Sequence, residues 1–350
     1  PESAAVNESV KLAKKLTRGL SGFVNAVMRS VLRDMDSISI GELATSEAEE
    51  ISFIYNQPLW LVELWLNEMG KDKTIDLCSW FNEQSCLTAR INTIKVSVDE
   101  CLQELRALGW TVDRDEYIPE CIYIDGHQGH LEKARPILAG HITFMDKASM
   151  LVAHVVNPQP GERILDCCAA PGGKSMHMAS LMENTGAIMS CDIYEHKLQL
   201  MQSNVERLGV SIISMKLQDG RTLPDSWINQ FDRVLVDAPC SGLGILQKKL
   251  DMRWRKSREL LFELPTLQLE ILECASKMVK VGGYLVYSTC TLNHGENEDV
   301  LEKFLEHHKD FVIEPVELKG LPSSKDGMIT TYPPRDDMDG FFMARMKRLS

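Results

Sequence analysis

Residues 164–175 read Ile-Leu-Asp-Cys-Cys-Ala-Ala-Pro-Gly-Gly-Lys-Ser. The apolar start predicts a short buried strand, and the residues after the two glycines begin a helical pattern. Glycines and small side chains let the backbone approach a ligand closely. The N-terminus of a helix offers unpaired N–H groups to an anion. The segment therefore predicts the ligand-binding first turn of an α/β sheet.

Three kinds of ligand-binding loop are possible interpretations of this segment. The phosphate-binding pattern G-x-x-x-x-G-K-[ST] fits only in its second half, because Cys168 occupies the position of its first glycine. The dinucleotide pattern G-x-G-x-x-G is absent. The remaining interpretation is an S-adenosylmethionine loop whose backbone cradles the methionine end of the cofactor. Its candidate contacts are Cys168, Ala169, Ala170, Pro171, Gly172, Gly173 and Lys174.

Strand and helix patterns alternate on both sides of this loop. This alternation predicts a doubly wound α/β fold, in which helices cover both faces of a mostly parallel sheet. The predicted strands are 163–166, 187–191, 212–216, 232–236 and 284–287, and the predicted helices are 173–182, 195–208 and 257–279.

Acidic residues end or follow several of these strands. Asp192 lies about 20 residues after Gly172, where a carboxylate can accept hydrogen bonds from ribose hydroxyl groups. Asp219 follows the third strand and could meet an adenine amino group, and Asp237 ends the fourth. A single such aspartate is often only a helix cap. A series at successive strand ends favours a cofactor site.

Two cysteines also follow apolar strands. Cys240 lies in Asp-Ala-Pro-Cys-Ser (237–241), and Cys290 lies in Ser-Thr-Cys-Thr (288–291). Open α/β sheets bind ligands at the C-terminal ends of their strands. Both thiols could therefore face one substrate, which predicts covalent chemistry with one nucleophile and one helper.

Composition bounds the remaining possibilities. With 350 residues, 44% apolar and 25% charged, the chain is typical of a soluble globular protein of two or three domains. No segment predicts a membrane span or a secretory signal. None of the ten cysteines is paired in C-x-x-C spacing. We therefore expect a reducing, cytoplasmic compartment and no metal.

The charge distribution is uneven. A net charge of −12 argues mildly against a nucleic-acid partner. Residues 248–258, however, hold six lysines and arginines around Trp254. Such a run is as often a solvated face as a binding surface, and the sequence leaves the two interpretations about equal.

The first 140 residues show other patterns. Residues 3–33 are helical with glycines at 19 and 22, and they carry too few apolar positions to bury a core alone. Residues 40–140 predict a small α+β unit. Its predicted helices are 58–66, 74–81 and 98–108, and its predicted strands are 87–91 and 121–124.

Three motifs occur in the order Asp-Cys-Cys-Ala-Ala-Pro-Gly-Gly-Lys, Asp-Ala-Pro-Cys-Ser-Gly and Ser-Thr-Cys-Thr. Together they resemble those of the RNA cytosine-C5 methyltransferases, and within them the branch that modifies bacterial 16S ribosomal RNA. Residues 4–27 resemble the last helices of a NusB-like domain, and residues 339–342 resemble the family's closing strand. The resemblance implies three domains. These are the end of a NusB-like RNA-binding domain over 1–38, whose front half is missing, an α+β RNA-binding domain over 39–140 and a methyltransferase domain over 141–350.

The resemblance also implies roles. Cys290 would attack cytosine C6, and Cys240 would help to release the methylated product. Asp237 would meet the base at N3, and Lys174 would supply a positive field for the nucleophile. S-adenosylmethionine would contact residues 168–174 together with Asp192, Asp219 and Asp237. The expected partner is an unstacked cytosine in 16S rRNA, and we expect a monomer.

Alternatives remain at this point. The same chemistry could act on tRNA or another RNA. In DNA cytosine methyltransferases the Pro-Cys cysteine is the attacker, which would make Cys240 the nucleophile. A different class of function is a non-catalytic NusB-like RNA-binding module.

Overall fold

The computed structural model describes residues 2–17, 19–35, 44–127, 129–319 and 326–350. The chain divides into two compact units, one ending at Lys71 and the other spanning Asp72–Ser350. Within the described ranges, no helix is long and apolar enough to cross a membrane.

The first unit is helical over its described residues, as predicted for 3–33. Gly19, at φ +84°, stands between the first two helices. The second helix has no buried residue, which agrees with the expectation that these helices alone bury little. The predicted boundary at 38/39 lies outside the described residues. The helices are α1 Glu2–Leu16, α2 Ser21–Asp34, α3 Glu47–Tyr55 and α4 Leu59–Met69.

The second unit opens within helix α5 and continues with a small antiparallel sheet. Its elements are α5 Lys71–Trp80, β1 Leu87–Ile91, α6 Val98–Ala107, β2 Thr111–Arg114, β3 Cys121–Gly126, α7 Arg135–Leu138 and β4 Ile142–Phe144. The strand order β2-β3-β1-β4 with two crossover helices is the ferredoxin-like arrangement. Helix α6 begins at a capping box between Ser97 and Glu100.

Sequence reasoning missed β2 and β4. Strand β2 buries only Val112 among its four residues, and β4 has three residues. Strands this short give little periodicity to detect. Because β4 pairs with β1, the small sheet continues past residue 140. The domain division at 140/141 stays a prediction.

The described remainder forms an eight-stranded sheet with helices between its strands. Its strand order is β10-β12-β9-β8-β5-β6-β7, with β11 paired to β12. The elements are α8 Lys147–Val156, β5 Arg163–Asp166, α9 Gly173–Leu181, β6 Ala187–Asp192, α10 Glu195–Leu208, β7 Ile213–Leu217, β8 Phe231–Asp237, α11 Met252–Arg255, α12 Leu260–Ser276, β9 Val279–Thr289, α13 Glu298–His307, β10 Phe311–Ile313, β11 Met328–Thr331, α14 Pro333–Asp336 and β12 Phe341–Arg348.

This sheet confirms the predicted doubly wound fold. Strands β5 to β9 pair in parallel, and β12 pairs antiparallel to β9. Alternate residues enter different cores, as a pleated strand requires. Ile164 and Leu235 lie in one core, and Leu165 and Val234 lie in the other.

The topology places a crevice at the centre of the sheet. From β5 the chain moves to β6 and β7 on one side, and it returns through β8 and β9 on the other. Such a reversal leaves room for a ligand at the C-terminal strand ends. The segment after Asp166 and the one after Asp237 meet there, because β5 and β8 are neighbours.

The predicted end of the long helix is wrong. The helix predicted over 257–279 ends at Ser276, and Val279 instead starts β9 by pairing with Phe231. The apolar pattern continues from helix to strand, so sequence periodicity does not mark the change. Strands β10 and β11 were not predicted either; both are short.

Candidate active site

The loop after β5 is fixed by main-chain hydrogen bonds to two neighbouring strands. The Cys167 N–H donates to the Leu235 carbonyl (N···O 2.9 Å), and the Ala169 N–H donates to the Cys191 carbonyl (2.8 Å). Gly172, at φ +98°, then turns the chain into α9. A Cβ there would lie 2.7 Å from Met201 Cγ, so both conformation and space require glycine.

Asp192 braces this loop from the end of β6. Its carboxylate accepts the Ala170 N–H (3.2 Å) and the Tyr194 N–H (3.0 Å). Asp219, after β7, caps a short turn and is held by the Arg221 guanidinium (Nη2···Oδ2 2.7 Å). The hydrogen bonds from Arg221 hold the pKa of Asp219 below its usual value.

A buried acid beneath the loop was not among the predicted site residues. Asp166, the last residue of β5, is 1% exposed, and burial raises the pKa of its carboxyl group to about 7. Its Oδ2 accepts the Ser175 hydroxyl (2.6 Å), while Oδ1 has no hydrogen-bond partner. The sequence does carry a signal that could have identified Asp166, because this residue is an acid at the end of an apolar strand.

Asp237 joins the loop after β5 to the cysteine turns. Its Oδ2 accepts a hydrogen bond from the Lys174 ammonium (2.7 Å), and its Oδ1 accepts one from the Ser288 hydroxyl (2.8 Å). Burial acts to lower the pKa of Lys174, but the Asp237 carboxylate outweighs it and the pKa is raised. Lys174 is therefore a charged ammonium in contact with an acid beside the cysteine turns.

The two cysteines lie together at the ends of β8 and β9. Their sulfur atoms are 3.2 Å apart, and the Cys290 N–H also donates to Cys240 Sγ (3.3 Å). Both side chains are half-buried. Hydrogen bonding to Cys290, then burial and nearby negative charge including Glu296, raise the pKa of Cys240 well above its usual value. Cys240 is held as a thiol in this arrangement.

A buried carboxylate, which sequence reasoning missed, ties the two cysteine turns together. Glu296 Oε2 accepts the Ser241 N–H (2.8 Å) and the Gln268 amide (2.9 Å), and its Oε1 accepts the Asn293 amide (3.1 Å). The Ser241 and Thr291 hydroxyls complete the link at 2.8 Å.

The same network fixes the end of β9. Asn297 donates to the Thr291 carbonyl (3.0 Å) and accepts from Thr289 Oγ1 (2.5 Å). The Tyr287 hydroxyl donates to the Glu296 carbonyl (2.6 Å). No motif spacing in the sequence connects these residues to Ser241, which precedes them by about fifty positions.

The site fits S-adenosylmethionine. Residues 168–173 carry small side chains beside β5, and a buried carboxyl oxygen of Asp166 lacks a hydrogen-bond partner. Carboxylates at the ends of β6 and β7 suit ribose hydroxyls and an adenine amine. With the antiparallel β12 beside β9, fold and loop define a class, the S-adenosylmethionine-dependent methyltransferases.

Comparison with known proteins then gives the particular family. The chain belongs to the 16S rRNA methyltransferase RsmB/F family, whose sequence profile matches residues 153–347. A ferredoxin-like domain profile of RsmF/B-like methyltransferases matches residues 57–129, and the NusB family profile matches residues 1–33. The family predicted from the three motifs is confirmed.

Individual relatives of the chain support the same family. The chain is 34% identical to the probable ribosomal RNA small subunit methyltransferase B of Bacillus subtilis, covering 99% of this chain and 78% of that protein. A Synechocystis protein of the same description is 38% identical, with 99% and 79% covered. The crystal structure of PH0851 matches with a TM-score of 0.84 at 30% identity, over 96% of this chain and 75% of that one.

Proposed function

We propose that this rRNA methyltransferase transfers a methyl group to C5 of a cytosine, through a covalent bond between Cys290 Sγ and C6 of the base. The observation that carries the proposal is the pair of thiols 3.2 Å apart at neighbouring strand ends. Two cysteines suit methylation of cytosine C5, because one can activate the ring by adding to C6 and the other can assist its later release.

Cys290 acts as the nucleophile. Cytosine C5 is too electron-poor to accept a methyl group directly, and addition of a thiolate at C6 makes it enamine-like. Because the raised pKa of Cys240 keeps its proton on that sulfur, Cys240 can donate a hydrogen bond to the Cys290 sulfur. The Lys174 ammonium lies within electrostatic range of Cys290. The attacking sulfur therefore lies beside a hydrogen-bond donor and a positive charge.

Asp237 and Cys240 act on the base at different stages. Asp237 meets N3 of the cytosine through a proton that its carboxylate takes up from the Lys174 ammonium or from water. Transfer of that proton to N3 neutralises the charge that accumulates there as the C6–S bond forms. After transfer, the C5 proton leaves and the C6–S bond breaks. A base takes the C5 proton while the electron pair of the C6–S bond returns to Cys290 as its thiolate. Cys240 no longer faces a free Cys290 sulfur at this stage, and after losing its own proton to solvent it takes the C5 proton directly or through a water.

S-adenosylmethionine supplies the methyl group as an electrophilic sulfonium. Residues 168–174 bind its methionine end, Asp192 binds the ribose hydroxyls and Asp219 meets the adenine amino group. For Asp219 to do so, its carboxylate must share its contacts with Arg221. The acceptor is a cytosine of 16S rRNA in an unstacked segment, because an enzyme can reach C6 only when the base leaves its stack.

The test is to incubate the chain with labelled S-adenosylmethionine and either unmodified 16S rRNA or undermodified small subunits. We expect label in one 5-methylcytosine, located by nuclease digestion and mass spectrometry. Label at another atom of the base, or on the ribose, would overturn the cytosine-C5 assignment. A tRNA that is labelled faster than rRNA would overturn the acceptor.

A further inference from the structure

A strongly basic segment leaves the Cys240 turn and is not used in the reaction scheme. Residues 248–258 contain six basic side chains and one acid, Asp251, in a chain whose net charge is −12. We call residues 249–258 the basic segment. It includes the short helix α11.

Two basic side chains anchor this region. The Lys248 ammonium pairs with Asp146 and Asp339. The Arg253 guanidinium, 4% exposed, donates to Asn82 Oδ1 (2.8 Å) and to the Phe81 carbonyl. These contacts hold α11 against the end of α5. The segment is therefore a fixed surface, anchored by Arg253 within it and by Lys248 directly before it.

The other side chains face solvent. Lys249 and Arg255 are exposed, and Lys256 is half-buried. Arg255 makes only a loose pair with Asp251 (3.4 Å) between two exposed side chains, and such a pair contributes little. Positive charge is thus concentrated on one exposed surface.

Trp254 projects from the same surface. All six tryptophans lie in the described residues, and Trp254, at 61% exposure, is the most exposed of them. The neighbouring side chain of Arg253 is buried and anchors helix α11. The indole of Trp254, on the same helix, is therefore held in solvent. An exposed indole among cations suits a ligand that is both anionic and aromatic.

The basic segment adjoins the cysteine turns. Met252 of α11 packs over Gly242, where an added Cβ would lie 2.8 Å from Met252 Cε. Gly242 is two residues from Cys240. The connecting chain is bound to the other turn, because the Gly244 N–H donates to the Cys290 carbonyl (3.0 Å).

We infer that the basic segment binds the single-stranded RNA next to the cytosine that enters the site, with a flanking base stacked on Trp254 and phosphates held by Lys249, Arg255 and Lys256. This inference rests on the proposed function and adds the residues that hold the flanking strand. Stacking and phosphate contacts together are how proteins bind unpaired strands without reading every base.

The experiment measures RNA affinity, KM for RNA and their salt dependence for the full chain with unmodified 16S rRNA. For Trp254→Ala we expect about a tenfold rise in KM, since stacking of one base is worth roughly this factor. Trp254→Phe should retain most of the affinity. Lys249→Gln and Lys256→Gln should each reduce the slope of log K against log salt by about 0.7.

Controls separate the possible failures. Lys303→Gln, an exposed site on α13, should match the wild type, and all variants should keep the wild-type Tm and S-adenosylmethionine affinity. If the wild-type chain neither binds nor methylates RNA, both the function and this inference fail. If it methylates RNA and the segment variants behave like wild type, only this inference fails. Defects confined to assembled subunits would also overturn it, because they would assign the segment to a protein contact.

Discussion

The Cys240 and Cys290 turns place the same type of residue at equivalent positions in the fold. The two cysteines nevertheless have different surroundings. Each cysteine follows a parallel strand, and the strands β8 and β9 are neighbours. Glu296, buried and bound to Ser241, adds negative charge to the Cys240 turn. The Lys174 ammonium adds positive charge within range of Cys290. Electrostatics therefore distinguishes two thiols that the local sequence makes look equivalent.

The largest expected effect comes from Cys290→Ala. In the proposed mechanism only Cys290 adds to C6, so methyl transfer should fall by at least about a thousandfold, while S-adenosylmethionine still binds by calorimetry. Cys86→Ala, at another half-buried free cysteine, is the matched control and should stay active. Substantial activity in Cys290→Ala would reverse the roles of the two turns.

Cys240→Ala should affect product release. The first methyl transfer proceeds, the C6–S bond then persists, and the variant accumulates a protein–RNA adduct on a denaturing gel. Turnover should stop after about one event per enzyme, as expected when a release step is lost. Normal multiple turnover, or methylated RNA with no shifted band, would contradict this role.

Glu296→Gln should reduce the electrostatic difference between the Cys240 and Cys290 turns. Oε1 and Oε2 both accept hydrogen bonds, so the new amide group must point at a buried donor, at a cost of about 1–3 kcal/mol in unfolding free energy. Loss of the negative charge should also lower the pKa of Cys240. The measurements are thermal unfolding and the pH dependence of Cys240 alkylation.

The control for this variant is Glu302→Gln, the same change at an exposed position of α13. It should alter neither quantity. An unchanged alkylation profile in Glu296→Gln, with wild-type stability, would remove Glu296 from the account of the cysteine turns.

The smallest expected effect is that of Ser241→Ala. It removes the Oγ contact with Thr291 but leaves the Ser241 N–H bonded to Glu296. Stability should fall by about 1 kcal/mol, the net worth of one hydrogen bond, and kcat should change less than in Glu296→Gln. A larger loss in Ser241→Ala would show that the hydroxyl bridge, and not the carboxylate, holds the turns together.

Sequence reasoning performed best where the information was local. Strand 163–166 and helix 195–208 agree with β5 and α10 because their apolar periods and boundary residues lie within single segments. It performed worst where strands are short or follow a helix directly, as at β2, β4 and the start of β9. Those strands depend on pairing partners distant in the chain.

Some residues of the candidate site were predicted from the sequence, and others were recognised only in the structure. The predicted loop, Lys174, Asp237 and both cysteines come together in the structure. Glu296 and its amide partners were missed because they carry no motif of their own. A buried carboxylate becomes recognisable only when the donors around it are known, and those donors come from Ser241, Gln268 and Asn293.

The sequence by itself determined the doubly wound fold, the glycine-containing loop after its first strand and the pair of cysteines, because strand–helix alternation, glycine positions and motif order are properties of neighbouring residues. The tertiary structure decided that the sulfurs lie 3.2 Å apart, that Asp237 pairs with Lys174, and that Glu296 distinguishes the two turns. The physical reason is distance along the chain. Burial and electrostatics act between groups that meet only after the sheet has formed.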